Sequence, residues 1–421
     1  LKLREARGWN DWNRYHPVHP RLHVKEKYVP KTEIEHRISQ LQKSLQAKDI
    51  EAALVVYKMD YFYFSGTAQN VLLYVPQEGA SLLMVFRDID RAREESPLEH
   101  IIPLDSIGSL ADVIRKYYGH IPHKIGMELD VLPVREYFHY KQLLSHVEIV
   151  DTSTLIKRIR MIKSPYELDQ MRHAGEIGKR VYEEGCSVLR EGMSEIEFGG
   201  YLELFAKRLE HEGLIRMRSL NYEAYTWHVL SGPNGSIVSQ AESPMGGAGL
   251  SPAFPVGAGS RLMKAHEPIL VDFGICYNGY LVDQTRMYCI GEMPEYYRAA
   301  YEATRTIERY IADHAQPGAR CDQLFEETVR LAEQLGYRDS YLGIPGKQTT
   351  FVAHGIGLEN SEIPYIAAGQ QHALQEGMTI AVEPKLVFAR QAAVGIEDTF
   401  LIKTGGAETL TPCDDRVLIA S

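Results

Sequence analysis

A chain of 421 residues that is 44% hydrophobic and 24% charged has room for one to three domains and the composition of a globular enzyme, which excludes disordered, collagen-like and membrane classes. Its formal net charge of −10, without any Lys/Arg stripe, excludes nucleic acid as an expected partner. No apolar run reaches the ~20 residues that a membrane-spanning helix needs, so no membrane partner is expected.

Residues 1–30 are polar and read as an irregular arm without the apolar stretch of a signal peptide. Cys186, Cys276, Cys289, Cys321 and Cys413 are scattered, odd in number and lack CxxC spacing. That pattern fits a reducing, cytoplasmic setting and argues against thiolate zinc sites.

Residues 31–155 read as one α/β unit. A helix is expected from Thr32 to about Lys48, with Ile34, Ile38, Leu41 and Leu45 at helical spacing. AALVVYK and YFYFSG come next, then the strand-like runs VLLYV and SLLMVF, and later KIGMEL and VEIVD. Helical patterns such as SLADVIRKYYG alternate with them. The unit has no Gly-rich phosphate loop.

Residues 156–421 form the second unit. Ser164-Pro165 suits a helix start, with Ser as cap and Pro in the first turn. An internal repeat follows. A long helix, Gly192, a capping box at Ser194–Glu197 and a shorter helix ending at Gly213 are echoed downstream by a long helix, Gly318 and a shorter helix ending at Gly336. Two such halves over antiparallel strands predict a pseudo-twofold α+β domain with a site between the halves. Between them, Ser231–His266 is rich in Gly and Pro. A loop this long is usually functional, and the part over 241–266 is expected to act as a lid or substrate-facing flap.

The stretch Pro268–Gly291 holds the strongest local signal. Two apolar runs flank Asn278-Gly279, a dipeptide suited to a two-residue hairpin turn. That turn pairs Tyr277 with Tyr280, Gly274 with Asp283 and Asp272 with Thr285. Asp272 and Asp283 then share a face as diagonal neighbours, ~5–8 Å apart at Cβ. Two carboxylates in apolar strands need a compensating cation. Downstream, His354 lies among small residues, and Glu383 and Glu397 each end an apolar run. Four carboxylates and one imidazole suit two divalent ions of the harder kind, Mn²⁺, Co²⁺, Zn²⁺ or Fe²⁺.

The run IKSPYELDQMRHA, then SGPN, VDFGICYNGYLVDQTR, HGIGLE, EGMTIAVEP and GIEDT, resembles the pita-bread metallopeptidases: methionine aminopeptidase, prolidase, aminopeptidase P and their relative creatinase. YFSGTAQN in the first unit resembles the creatinase-type N-terminal domain. The resemblance implies a pita-bread catalytic domain behind a creatinase-type α/β domain. It also implies two divalent metal ions, Mn²⁺ or Co²⁺ foremost. Asp272 would chelate one ion, Asp283 and Glu397 would bridge both, and His354 and Glu383 would complete the second. Glu383 would also move the proton of the attacking water. The activity implied is that of an Xaa-Pro aminopeptidase or dipeptidase, in a homodimer.

Four substrate-side positions depart from that family. Ser239 and Ser361 stand where its proline peptidases place histidines. Gly395 replaces an Arg, and Val387 stands at the Tyr expected after EPG. His228 and the Gly-rich loop are candidates to replace the lost groups, with a core or surface placement as the alternative for His228. The substrate is therefore expected to be a peptide or a small molecule. A hydrolase or lyase acting on a small non-peptide compound and a non-catalytic binding protein are the alternatives.

Overall fold

A computed structural model describes residues 28–219 and 227–420 of the chain. Most of the arm expected over residues 1–30 lies outside the described residues. Helix α1 (Lys31–Gln46) buries Ile34, Ile38, Leu41 and Leu45, the apolar stripe read from the sequence. The chain continues through β1 (Ala52–Val55), α2 (Lys58–Ser65), β2 (Val71–Pro76), β3 (Leu82–Val85), α3 (Ile89–Glu95) and β4 (His100–Pro103). Then come α4 (Leu110–Tyr118), β5 (Lys124–Met127), α5 (Val134–Leu143), β6 (Glu148–Asp151) and α6 (Ser153–Met161).

These strands form one six-stranded sheet in the order β4-β3-β2-β1-β5-β6, mixed parallel and antiparallel. Strands β1 to β3 are buried along their whole length. Ala53, Val55, Leu73 and Leu83 join one apolar core, and Ala52, Leu54, Leu72 and Leu82 the other. Burial on both faces explains why these runs lack polar alternation. The run YFYFSG is helical, the end of α2, and stops at Gly66 with a φ of 80°.

Helix α7 (Pro165–Val188) opens on a capping box between Ser164 and Glu167. Helix α8 (Glu195–Arg208) keeps half of the box expected there. Ser194 Oγ accepts from the Glu197 N–H at 3.2 Å, while the Glu197 side chain pairs with Arg190. The second helix pair is α9 (Glu295–His314) and α10 (Cys321–Gln334).

Strands β7 (Trp227–Ser231), β8 (Ile269–Tyr277) and β9 (Tyr280–Ile290) precede α9. After α10 come β10 (Phe351–Gly355), β11 (Glu362–Ala367), β12 (Thr379–Val382), β13 (Lys385–Phe388) and β14 (Ala392–Gly395), then β15 (Asp398–Lys403), β16 (Gly406–Thr409) and β17 (Leu418–Ala420). One sheet runs β17-β9-β8-β7, another β11-β10-β12-β15-β16, and β13-β14 stands as a separate hairpin. Helix α7 packs on β8 and β9, and α9 packs on β13, β14 and β16, which gives the two-halved α+β arrangement expected.

The halves are stitched at Thr285 and Glu397, whose backbones exchange hydrogen bonds of 3.1 and 3.2 Å. Buried Arg286 reinforces that seam. Its Nη1 donates to the carbonyls of Thr285 and Glu397, and its Nη2 to the Asp398 carboxylate. Arg160 on α6 ties the first unit to the second through Asp60, Glu359 and Glu362.

Candidate metal centre

The β8–β9 hairpin turns at Asn278 (φ 46°) and Gly279 (φ 84°), both left-handed as a two-residue turn requires. Tyr277 pairs with Tyr280, Gly274 with Asp283 and Asp272 with Thr285, the register expected from the turn. On the other side of β8, His228 pairs directly with Asp272, and its Nδ1 lies 3.7 Å from Asp272 Oδ2. Asp283 accepts from the Gln284 N–H at 3.0 Å and from Asn360 Nδ2 at 2.9 Å.

His354 comes from β10. Its Nδ1 lies 3.0 Å from the Gly355 carbonyl, which can only accept, so the proton sits on Nδ1. Nε2 is left with its lone pair toward the site, 3.7 Å from Glu383 Oε1. Glu383 directly follows β12, and Glu397 sits between β14 and β15 with Oε2 accepting from Thr285 Oγ1 at 2.9 Å. Asp283, His354 and Glu397 each bring one ligand atom to within 4.8 Å of the others.

Lys385 enters the same cluster. It is 0% exposed, and its Nζ lies 2.8 Å from Glu383 Oε2, 2.8 Å from Glu397 Oε2 and 3.3 Å from Asp272 Oδ2. Burial works against its charge, but those three carboxylates outweigh it and hold the ammonium well above the usual lysine range. Burial likewise opposes ionisation of Asp272, yet Lys385 and His228 hold that carboxyl below its usual range. Asp283 goes the other way: burial first, then the Asp272 charge, push it up to about 6. Burial raises Glu397 as well, with Asp283, Glu383 and Asp272 adding to it against Lys385.

The donors at Asp283, His354 and Glu397 fit a divalent ion. They combine two carboxylates with an imidazole whose other nitrogen is fixed by a carbonyl, the usual support for a ligating His. The Asp272 side does not fit a second ion in the same way, because Glu383 Oε2 and Glu397 Oε2 already accept from the ammonium. The sequence reasoning missed Lys385. The signal was there in EPK, a lysine opening the apolar run KLVF opposite Gly395.

A cavity of about 540 Å³ opens onto these groups, lined by Asp272, Asp283, His354, Glu383 and Glu397. Of the four pocket candidates, His228 and Ser361 line it, whereas Ser239 and Gly395 are not among its lining residues. Ser361 Oγ shares a 2.8 Å hydrogen bond with Tyr365 Oη. Gly395 instead faces Lys385 across the β13–β14 hairpin. Asn360, also missed, reaches the wall from the turn after β10.

Ala241, Glu242 and Ser243 bring the start of the Gly-rich loop to the cavity, and Glu242 accepts from Thr350 Oγ1 at 3.0 Å. The loop is tied down at Glu195. That carboxylate accepts from the N–H and hydroxyl of Ser231, from Asn234 Nδ2 and from the Gly259 N–H, at 2.7–3.0 Å.

Comparison with known proteins agrees with this architecture. The family model of metallopeptidase family M24 matches residues 169–404, and that of the creatinase/prolidase N-terminal domain matches residues 37–162. An Xaa-Pro dipeptidase of Pyrococcus furiosus is 24% identical over 388 residues, covering 91% of this chain and 100% of its own. One from Lactobacillus helveticus is 24% identical, covering 91% and 98%. Among solved structures, an Xaa-Pro dipeptidase from Bacillus anthracis superposes with a TM-score of 0.77 at 22% identity, covering 92% of this chain and 99% of that one.

Proposed function

The chain belongs to metallopeptidase family M24, and from that premise we propose that it is a metal-dependent hydrolase cleaving an amide bond in Xaa-Pro peptides. The observation that carries the reading is the convergence of Asp283, His354 and Glu397 on a cavity that Glu383 also lines. The substrate class comes from the relatives named Xaa-Pro dipeptidase. A divalent ion held by Asp283, His354 and Glu397, with Mn²⁺ or Co²⁺ suited to this oxygen-rich set, would supply Lewis acidity and a water of lowered pKa.

The chain's own groups do the rest. Glu383 takes the proton of the attacking water. Its Oε2 is anchored on Lys385, which holds Oε1 in place beside His354. Asn360 and the Gln284 N–H fix the orientation of Asp283. Incubation of the Mn²⁺- or Co²⁺-supplemented chain with Xaa-Pro dipeptides and longer peptides tests the reading. Turnover above a chelated control is expected, and E383Q should lower it by about 10²–10⁴-fold. An absence of turnover across the panel overturns it.

A small non-peptide substrate is the second reading. It is favoured by Ser361, a hydroxyl already committed to Tyr365, at a position where the resemblance implies a histidine. Turnover of small amides or amidines without peptide cleavage would select it.

A further inference from the structure

Lys385 has no need of its ammonium for its place in the fold. Strand β13 pairs with β14 through the backbone, from Lys385 opposite Gly395 to Phe388 opposite Ala392. The side chain nevertheless runs inward and ends on three carboxylates from separate segments: Asp272 on β8, Glu383 after β12 and Glu397 before β15. An ammonium donates three hydrogen bonds, and here the three partners are all carboxylate oxygens. Room for the stem comes from Gly395, where a Cβ would lie 2.4 Å from Lys385 Cγ. The lysine at 385 and the glycine at 395 are one arrangement.

We propose that Lys385 is a built-in cation that takes the place of one of the two metal ions, so that the centre accepts no more than one divalent ion, at Asp283, His354 and Glu397. A metal ion needs carboxylate oxygens at about 2.0–2.2 Å. The oxygens of Glu383 and Glu397 that would serve an ion on the Asp272 side are held by the ammonium instead. An ion placed there would also meet a positive charge at close range in a buried site. The inference concerns the same site as the proposed hydrolase but stands on this geometry alone.

Metal counting decides it. The full chain is stripped with chelator, equilibrated with excess Mn²⁺, desalted, and read by elemental analysis and by electron paramagnetic resonance. One ion per chain or fewer is expected, with the spectrum of isolated Mn²⁺. Two ions per chain with a spin-coupled spectrum overturns the proposal. K385G vacates the position and should gain one ion over the wild type. A K385G chain with an unchanged circular dichroism spectrum and no gain also overturns it. Should K385G fail to fold, the wild-type count decides alone. Peptide turnover is scored separately: one bound ion without cleavage sinks the functional reading and leaves this one standing, and two ions with cleavage does the reverse.

Discussion

Gly395→Ala is the most direct test of how Lys385 is packed. A Cβ at position 395 would lie 2.4 Å from Lys385 Cγ, against an ordinary carbon–carbon contact of about 3.5–4.0 Å. Its other close neighbours, the Pro384 carbonyl at 3.1 Å and Lys385 Cα at 3.2 Å, need only a few tenths of an ångström. The stem must therefore move by about 1 Å, yet its tip is fixed on three carboxylates. Overpacking of this kind costs about 1–3 kcal/mol, and weakening one charge-assisted hydrogen bond adds about 1.5–3 kcal/mol. We expect G395A to lose about 2.5–6 kcal/mol, the sum of those two ranges. K385G leaves buried carboxylates without their cation and should lose about 3–5 kcal/mol. In the double variant the clash has no partner, so its loss should stay close to that of K385G, a coupling equal to the G395A loss of about 2.5–6 kcal/mol. Urea unfolding followed by circular dichroism in the presence of chelator measures all four corners. Losses that add to within about 0.5 kcal/mol would refute the packing of Lys385 against Gly395.

Three further expectations follow from other parts of the site. H354A removes the imidazole of the ligand triad and should weaken Mn²⁺ binding by at least about tenfold, read by isothermal titration, while unchanged affinity would exclude His354 as a ligand. E195A leaves the four donors that hold the Gly-rich loop without their acceptor, each at a cost of about 1–3 kcal/mol. The expected result is faster limited proteolysis within 232–260, and a wild-type cleavage pattern would count against Glu195 as the anchor. His211 accepts from the Cys276 N–H on β8 at 2.9 Å, and burial, with Lys207 adding to it, pushes its pKa down to about 4. The unfolded chain binds that proton near pH 6.5, so the contribution is full above 6.5 and is lost as pH falls toward 4. At about 1.36 kcal/mol per pH unit this amounts to about 3 kcal/mol. H211N, which keeps an acceptor without titrating, should show a correspondingly flatter loss between pH 6.5 and 4, and parallel curves would refute the assignment.

What the sequence disclosed and what it withheld divide along the range of the interactions. The register of β8 and β9 was legible because two residues, Asn278 and Gly279, set it locally, and every pair out to Asp272 and Thr285 follows by counting. The helix start at Ser164-Pro165 was legible for the same reason, whereas in the box expected at Ser194 the partner of Glu197 proved to be Arg190, a choice that spacing alone does not determine. YFYFSG carries β-favouring residues, yet it ends a helix, α2, because tertiary packing and the stop at Gly66 prevail over propensity.

Lys385 is the instructive case. In the sequence it is one lysine at the head of a strand, and a lysine there ordinarily turns to water. Its burial depends on Asp272, 113 positions away in the chain, and on Glu397 beyond the next turn. Gly395 likewise read as a lost pocket residue. Its meaning lies across the hairpin, in the space it leaves for the lysine stem. The hairpin carboxylates were right to demand a cation. The chain answers part of that demand itself, and a substitution at either 385 or 395 can be interpreted only with the other in view.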